Sequence, residues 1–202
     1  MIDLSKSGGI WTLRLDRPEK ANSLTLEMLE RIAEVAQEGA AARALIITGT
    51  GKVFSAGADL EAAKSGLATS DVWEKVSGAI ADLPCLTIAA LNGTLAGGAF
   101  GMALACDIRI AVPHAKFFYP VTKLGYLPQP SDPTRMTNII GPARAKMVLM
   151  AGQKLSAEDA LVYGLIERIC QPEELMQQAI EFTNDVCTAT PEHVSAIKKM
   201  CD

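Results

Sequence analysis

Apolar residues recur along this chain with two different periods, and the switches between them predict its elements. Trp11, Leu13 and Leu15 alternate with Thr12, Arg14 and Asp16, the two-residue period of a half-buried strand that ends at Arg17-Pro18. After the loop RPEKANSL, Thr25 is placed to cap a helix in which Leu26, Leu29, Ala33 and Ala36 recur at helical spacing, with Gly39 at its end. Ala44 to Thr48 shows no alternation and predicts a strand covered on both faces. A second helix is expected from about Ser70 to Leu83, with Trp73, Val76, Ile80 and Leu83 as its core stripe. The apolar run Leu86 to Leu91 predicts a strand ending at the turn signal Asn92-Gly93, and a short loop leads to Gly97-Gly98 at the mouth of a small-residue helix, Ala99 to Ala105.

Further on, Lys116 to Tyr119 predicts a short strand, and Leu124 to Pro133 is a Pro- and Gly-rich loop near the surface. Helices are expected near Pro133 to Ile140 and Pro142 to Ala151, and a third is capped by Ser156 with Asp159 in capping-box position. Leu165 to Cys170 predicts a strand, and Pro172 to Cys187 and Pro191 to the terminus are helical by pattern. Repeated strand, helix, strand order gives an α/β class.

Composition narrows the function classes. The 202 residues suit one domain with a substantial core, and 49% hydrophobic with 21% charged residues is ordinary globular usage. A net charge of -4 argues against a nucleic-acid partner. The five cysteines are odd in number, form no CxxC and lie in apolar segments, so they are expected to be reduced core residues with no disulfide framework and no metal site. With no leader-like start and no uninterrupted apolar run of about 18 residues, a cytoplasmic protein without a membrane partner is expected.

Two nucleotide motifs fail on inspection. GTGK at Gly49 to Lys52 has Ile46 where a phosphate loop needs glycine and Val53 where it needs Ser or Thr; Gly93, Gly97, Gly98 and Gly101 do not make GxGxxG. Gly97-Gly98 has a different use. A backbone N–H at Gly98 points out of a helix N-terminus, where unpaired N–H groups and the helix dipole favour a developing negative charge. Ser55 to Leu60, SAGADL, is the candidate for the other half of an oxyanion hole, with Gly57 permitting the turn and Ala58 offering its N–H without bulk. The alternative is that both are tight packing turns.

The order FSAGADL, then NGTLAGGAFGMALACDIRIA, resembles the two-part signature of the crotonase superfamily, the enoyl-CoA hydratase/isomerase family. RPEKANSLTLEML, LIITGTGKVFSAGADL, AKFFYPVTKLGYLP and LSAEDALVYGLIERI resemble family segments in the family's order, over nearly the whole chain. The resemblance implies an α/β, crotonase-like spiral of ββα units with C-terminal helices, a single domain over residues 1–202 with its core over about 1–190. It also implies a shortened C-terminal helical region, since family members of typical length continue for several dozen residues. Homo-oligomers, trimers or hexamers, are implied as well, an expectation the short end weakens.

What the resemblance implies about chemistry is more specific. Relatives bind a coenzyme A thioester, whose carbonyl oxygen takes on enolate charge between two backbone N–H groups; Ala58 and Gly98 match those donors. CoA enters as part of the substrate, and no cofactor or metal is needed. The CoA-side contacts match Lys20, Ala21, Ala56, Asp59, Leu60 and Gly97; Lys20 could meet a phosphate as a point charge or be a solvated loop lysine, and Asp59 is read first as a helix N-cap.

The two carboxylates of the family's hydratases match Gly101 and Val121, neither of which can titrate, so a standard hydratase is rejected. The loop FFYPVTKLGYLPQP is closest to an isomerase subgroup, but its acid is matched by Gln129, which can orient and cannot accept a proton. Asp132 is the nearest carboxylate and could substitute if the loop bends; the favoured alternative is a helix cap before Pro133. Tyr126 lies near a loop position where a tyrosine serves in decarboxylating relatives, and Tyr119 is the weaker candidate because strand aromatics are usually packing. Three readings follow: an acyl-CoA enzyme nearest the isomerase branch, a malonyl-type decarboxylase or thioester hydrolase, and an acyl-CoA binder without catalysis.

Overall fold

The computed structural model describes residues 1–201. It opens with a hairpin the apolar pattern does not announce: β1 (Ile2–Ser7) pairs antiparallel with β2 (Ile10–Leu15) across Gly8-Gly9, both left-handed at φ 57° and 84°. Two glycines take such a turn without steric penalty. The β1 strand is an exposed edge, so it needs no run of apolar residues. Next comes α1 (Leu26–Glu38), whose cap Thr25 accepts from the Met28 N–H at 3.3 Å and whose buried stripe includes Leu29, Ile32 and Val35.

Three strand pairs follow, each closed by helix: β3 (Ala44–Gly49) and β4 (Val53–Ser55), then α2 (Leu60–Lys64) and α3 (Val72–Ala81); β5 (Leu86–Leu91) and β6 (Thr94–Ala96), then α4 (Phe100–Ala105); β7 (Ile108–Ala111) and β8 (Lys116–Phe118), then α5 (Val121–Leu124), α6 (Asp132–Ile140) and α7 (Pro142–Leu149). The chain continues through β9 (Leu155–Ser156), α8 (Ala157–Tyr163), β10 (Arg168–Ile169), α9 (Leu175–Glu181), α10 (Asn184–Thr188) and α11 (Pro191–Cys201). The first strand of each pair joins a sheet ordered β1-β2-β3-β5-β7-β10, and the second joins another ordered β4-β6-β8-β9. Each ββα unit therefore adds one parallel strand to each sheet, which is how the chain winds as a spiral. Every residue of β3 is buried, as the missing alternation predicts.

Several boundaries differ from expectation for local reasons. The strand expected at Leu165 to Cys170 shrinks to Arg168–Ile169, because the buried Arg109 side chain claims the Leu165 carbonyl at 2.9 Å and the Glu167 carboxylate. The helix expected over Pro172 to Cys187 breaks in two where the Thr183 hydroxyl donates back to the Ile180 carbonyl at 2.7 Å. The terminal helix is present over Pro191–Cys201, and its expected last residue, Asp202, lies outside the described residues. All five cysteines are unpaired, but only Cys85, Cys106 and Cys170 are buried; Cys187 is half-buried and Cys201 exposed. Among the described residues, no helix is long and apolar enough to cross a membrane.

One side chain ties the loops at one end of the sheets together. Asn22, fully buried with φ 52°, donates to the carbonyls of Thr50 at 2.9 Å and Val53 at 2.7 Å and accepts from the Arg17 N–H at 2.8 Å. Its own carbonyl accepts from the Ser55 hydroxyl at 2.8 Å. Asn22→Ala leaves buried polar groups unpaired and places alanine in the left-handed region, so it is expected to cost about 2–4 kcal/mol in urea unfolding. A loss below about 1 kcal/mol would show that the loops hold without this latch.

Candidate active site

The second sheet brings two turns into contact. Because β4 and β6 are parallel neighbours, their C-terminal ends lie side by side, and the turns that follow them emerge together. In the first turn the Leu24 N–H donates to the Gly57 carbonyl at 2.8 Å and the Asp59 N–H to the Leu24 carbonyl at 2.9 Å. This alternation turns the Ala58 N–H to the opposite side. The Ser55 hydroxyl accepts from the Gly57 N–H at 3.1 Å, and the Ala56 N–H donates to the Ala21 carbonyl at 3.0 Å, which fixes the turn against the Asn22 loop.

Gly57 has φ 89°, and a Cβ there would lie 2.9 Å from the Ala96 carbonyl oxygen and 3.4 Å from the Gly97 Cα. No side chain fits between the two backbones. Gly97, itself left-handed at φ 57°, begins a single 3-10 turn, Gly97–Ala99, that runs into α4. Ala96 offers no side-chain cap, so the first N–H groups of this turn have no partner from within it. Gly98 lies under the Trp73 indole, where a Cβ would be 3.2 Å from the ring, and the indole N–H is anchored on the Leu67 carbonyl at 2.8 Å.

Ala58 and Gly98 line the same cavity, of about 160 Å³. Of the other residues singled out from sequence, Ala56, Leu60, Gly97, Tyr126 and Gln129 also line it. Lys20, Ala21, Asp59 and Asp132 do not. Lys20 is exposed at the end of the Pro18–Lys20 turn, and Ala21 backs the first turn through its carbonyl. Asp59 caps α2, accepting from Glu61 and Ala62 N–H groups, and pairs with Arg17 at 2.8 Å; that guanidinium, with the backbone N–H groups, holds its carboxyl below the usual range. The mouth is apolar, with Leu60, Leu124 and Leu127 exposed at 79%, 60% and 87%. A larger groove, about 390 Å³ between α11 and β5, holds none of these residues.

Asp132 requires a correction. It does not cap α6: the cap position is Ser131, with no side-chain cap bond, and Asp132 turns inward. Fully buried, its Oδ2 accepts from the Tyr119 hydroxyl at 2.8 Å, while Oδ1 has no hydrogen-bond partner among the described residues. The Tyr119 oxygen accepts from the Gln129 N–H at 3.3 Å, and its ring stacks on Phe100 with centroids 5.4 Å apart. Burial pushes the Asp132 carboxyl up to about 7; the Tyr119 hydroxyl and Arg135 oppose this, and the Glu74 carboxylate adds to it. Burial, with Asp132 beside it, also raises the Tyr119 phenol, which stays neutral.

Two residues of the site, Trp73 and Asn22, escape the sequence reading, and a third, Tyr119, is ranked too low by it. Trp73 is in the expected core stripe yet also forms a cavity wall over Gly98. Asn22 lies in the family-like segment RPEKANSLTLEML, but nothing in the loop marks its amide as the group that would be buried there. Tyr119, discounted as strand packing, lies just past the end of β8 and faces the cavity.

Comparison with known proteins identifies the family and the fold. Residues 5–202 match the enoyl-CoA hydratase/isomerase family profile. Carnitinyl-CoA dehydratases of Salmonella arizonae and Escherichia coli (strain K12) are 36% and 34% identical to this chain over 207 residues, each match covering 98% of it and 79% of the relative. A crystal structure of an enoyl-CoA hydratase from Bacillus anthracis superimposes with a TM-score of 0.90 at 32% identity, over 98% of this chain and 81% of that one.

A carboxyl whose value rises on folding stabilises the fold below the ordinary aspartate range and loses that contribution as pH rises through about 7. Asp132→Asn removes the buried charge while keeping an acceptor for Tyr119. Its stability relative to the unaltered protein should therefore improve by about 2–4 kcal/mol between about pH 5 and pH 8 in chemical unfolding. Parallel pH profiles for the two proteins would contradict a raised Asp132.

Proposed function

The chain belongs to the enoyl-CoA hydratase/isomerase family, and on that premise we propose that it binds an acyl-CoA thioester and stabilises the thioester enolate between the N–H groups of Ala58 and Gly98. The observation that carries this is their convergence on one cavity, from turns held in contact by Gly57 and Gly97. A preorganised pair of donors in a site partly closed to water acts on charge as it develops, and removing one such donor typically costs about 10²–10³ in rate. The apolar residues Leu124 and Leu127 at the mouth suit the acyl chain, and Lys20 with the Ala56–Leu60 segment would lie along the CoA portion. No metal or cofactor is called for by this chemistry.

The reaction nearest to these residues is movement of a double bond within an enoyl-CoA. Val121 stands buried on the wall and Gly101 is a glycine, so neither family carboxylate position supplies an acid for water addition. Gln129 is placed to orient the thioester or a water, with its amide donating to the Ala68 carbonyl at 3.4 Å. A second reading, decarboxylation of a malonyl-type thioester, is favoured by one observation: among the described residues lining the cavity, none is Asp or Glu. Loss of carbon dioxide forms the enolate without a base.

The test is turnover of 3-enoyl-CoA, 2-enoyl-CoA and malonyl-type thioesters, with and without Gly98→Ala, whose Cβ would press on Trp73. Conversion of the 3-enoyl-CoA, reduced by about 10²-fold in kcat/KM for Gly98→Ala, is expected. Activity that appears only in Gln129→Glu would remove the isomerase reading, carbon dioxide release alone would favour the second, and tight binding with no product from any thioester would leave a non-catalytic binder.

A further inference from the structure

We propose that Tyr119, backed by Asp132, carries the substrate's α-proton, so that the acid missing from the cavity wall is supplied from behind it. The inference rests on the acyl-thioester reading above and names its proton carrier. Among the described residues, two titratable side chains line the cavity, Tyr126 and Tyr119. Tyr126 is 40% exposed at the rim, whereas Tyr119 is 2% exposed and held on three sides, by Asp132 at 2.8 Å, the Gln129 N–H at 3.3 Å and the stacked Phe100 ring.

The position of Asp132 is tied to Gly101. A Cβ at Gly101 would lie 3.1 Å from Asp132 Oδ1, so any side chain there would press on the carboxyl. Residue 101 is where the sequence resemblance places a family carboxylate on α4. In this protein that residue is glycine, and the space beside it is occupied by a carboxyl arriving from α6. The exchange moves the acid without removing it. Because Asp132 itself is sealed from the cavity, it can act only through the Tyr119 oxygen and is a positioning residue that also stores the proton.

The step balances without an external partner. The substrate's α C–H bond breaks and its electron pair enters the thioester as an enolate, with the oxygen held by the Ala58 and Gly98 N–H groups. The departing proton bonds to the Tyr119 oxygen as the phenol's own proton crosses to Asp132 Oδ2; return of the proton by the same route, to the α-carbon or the γ-carbon, restores both groups. A purely structural role explains less. A buried carboxyl with an unpartnered oxygen is costly to the fold, and an apolar pair would pack there at lower cost.

Charged groups around Asp132 set where it takes up a proton. Glu74 faces it from α3 while holding the Ser131 N–H and hydroxyl, Arg135 lies on α6 itself, and α4, whose Gly101 lies beside the carboxyl, carries no charged residue. Together with burial they place its titration near neutrality, where an acceptor is most useful.

The experiment is exchange of the α-protons of butyryl-CoA with deuterium oxide, followed by NMR, alongside calorimetric binding of the same thioester. The unaltered protein should exchange, with a rate that rises with pH through about 7. Tyr119→Phe and Asp132→Asn should each slow exchange by about 10²-fold or more, with binding changed by less than about threefold and the pH dependence lost in Asp132→Asn. Exchange near the original rate in Tyr119→Phe, or a protein that binds the thioester without exchanging it, would overturn the relay and leave the binding reading intact. Failure to bind butyryl-CoA would overturn both.

Discussion

Two turns touch backbone to backbone at the candidate site, and the contact is possible only because Gly57 puts no side chain between them. The Cβ that Gly57 lacks would stand 2.9 Å from the Ala96 carbonyl oxygen, closer than any carbon can remain. A milder restriction applies at Gly98, where a Cβ would stand 3.2 Å from the Trp73 ring and crowd it. Around this contact the neighbouring groups serve to hold it: Ser55 and Asn22 brace the first turn, and Trp73, anchored on Leu67, covers the second.

Topology explains why these two turns meet. Successive ββα units place β4 and β6 side by side and parallel, so the segments leaving their C-terminal ends are neighbours although about forty residues separate them in sequence. Ligand sites in parallel sheets commonly form beyond such strand ends. The third unit adds the remaining wall: β8 pairs with β6, and the chain leaving it carries Tyr119, Val121 and the loop to Gln129. Three repeats of one local pattern thus deliver the Ala58 turn, the Gly98 turn and the remaining, largely apolar wall to one cavity.

The parts legible in sequence were those fixed by short-range physics. Alternation in Trp11 to Leu15, uniform burial in Ala44 to Thr48, the Thr25 cap and the Ser156–Asp159 capping box are each decided within a few residues, and each stands in the structure. Glycine, single at Gly57 and paired at Gly97-Gly98, marked the two turns because close backbone approach requires it. What stayed hidden depends on partners distant along the chain. Asp132 before Pro133 has the local signature of a cap, and only the fold shows Gly101 and Tyr119 receiving its carboxyl. Trp73 has the periodicity of a core residue and is one, so nothing in its helix distinguishes the edge that faces the cavity. The β1 strand, exposed along most of its length, lacked the pattern by which strands are recognised; its Gly8-Gly9 turn was the available signal.

The central claim is that the Ala58 and Gly98 N–H groups bind one thioester oxygen. It is tested most directly by isotope-edited infrared difference spectroscopy of an acyl-CoA carrying ¹³C at the thioester carbonyl. Bound to the protein, that carbonyl should absorb at lower frequency than in water, as two preorganised donors draw charge onto its oxygen. A bound thioester whose carbonyl absorbs at its solution frequency would contradict the account.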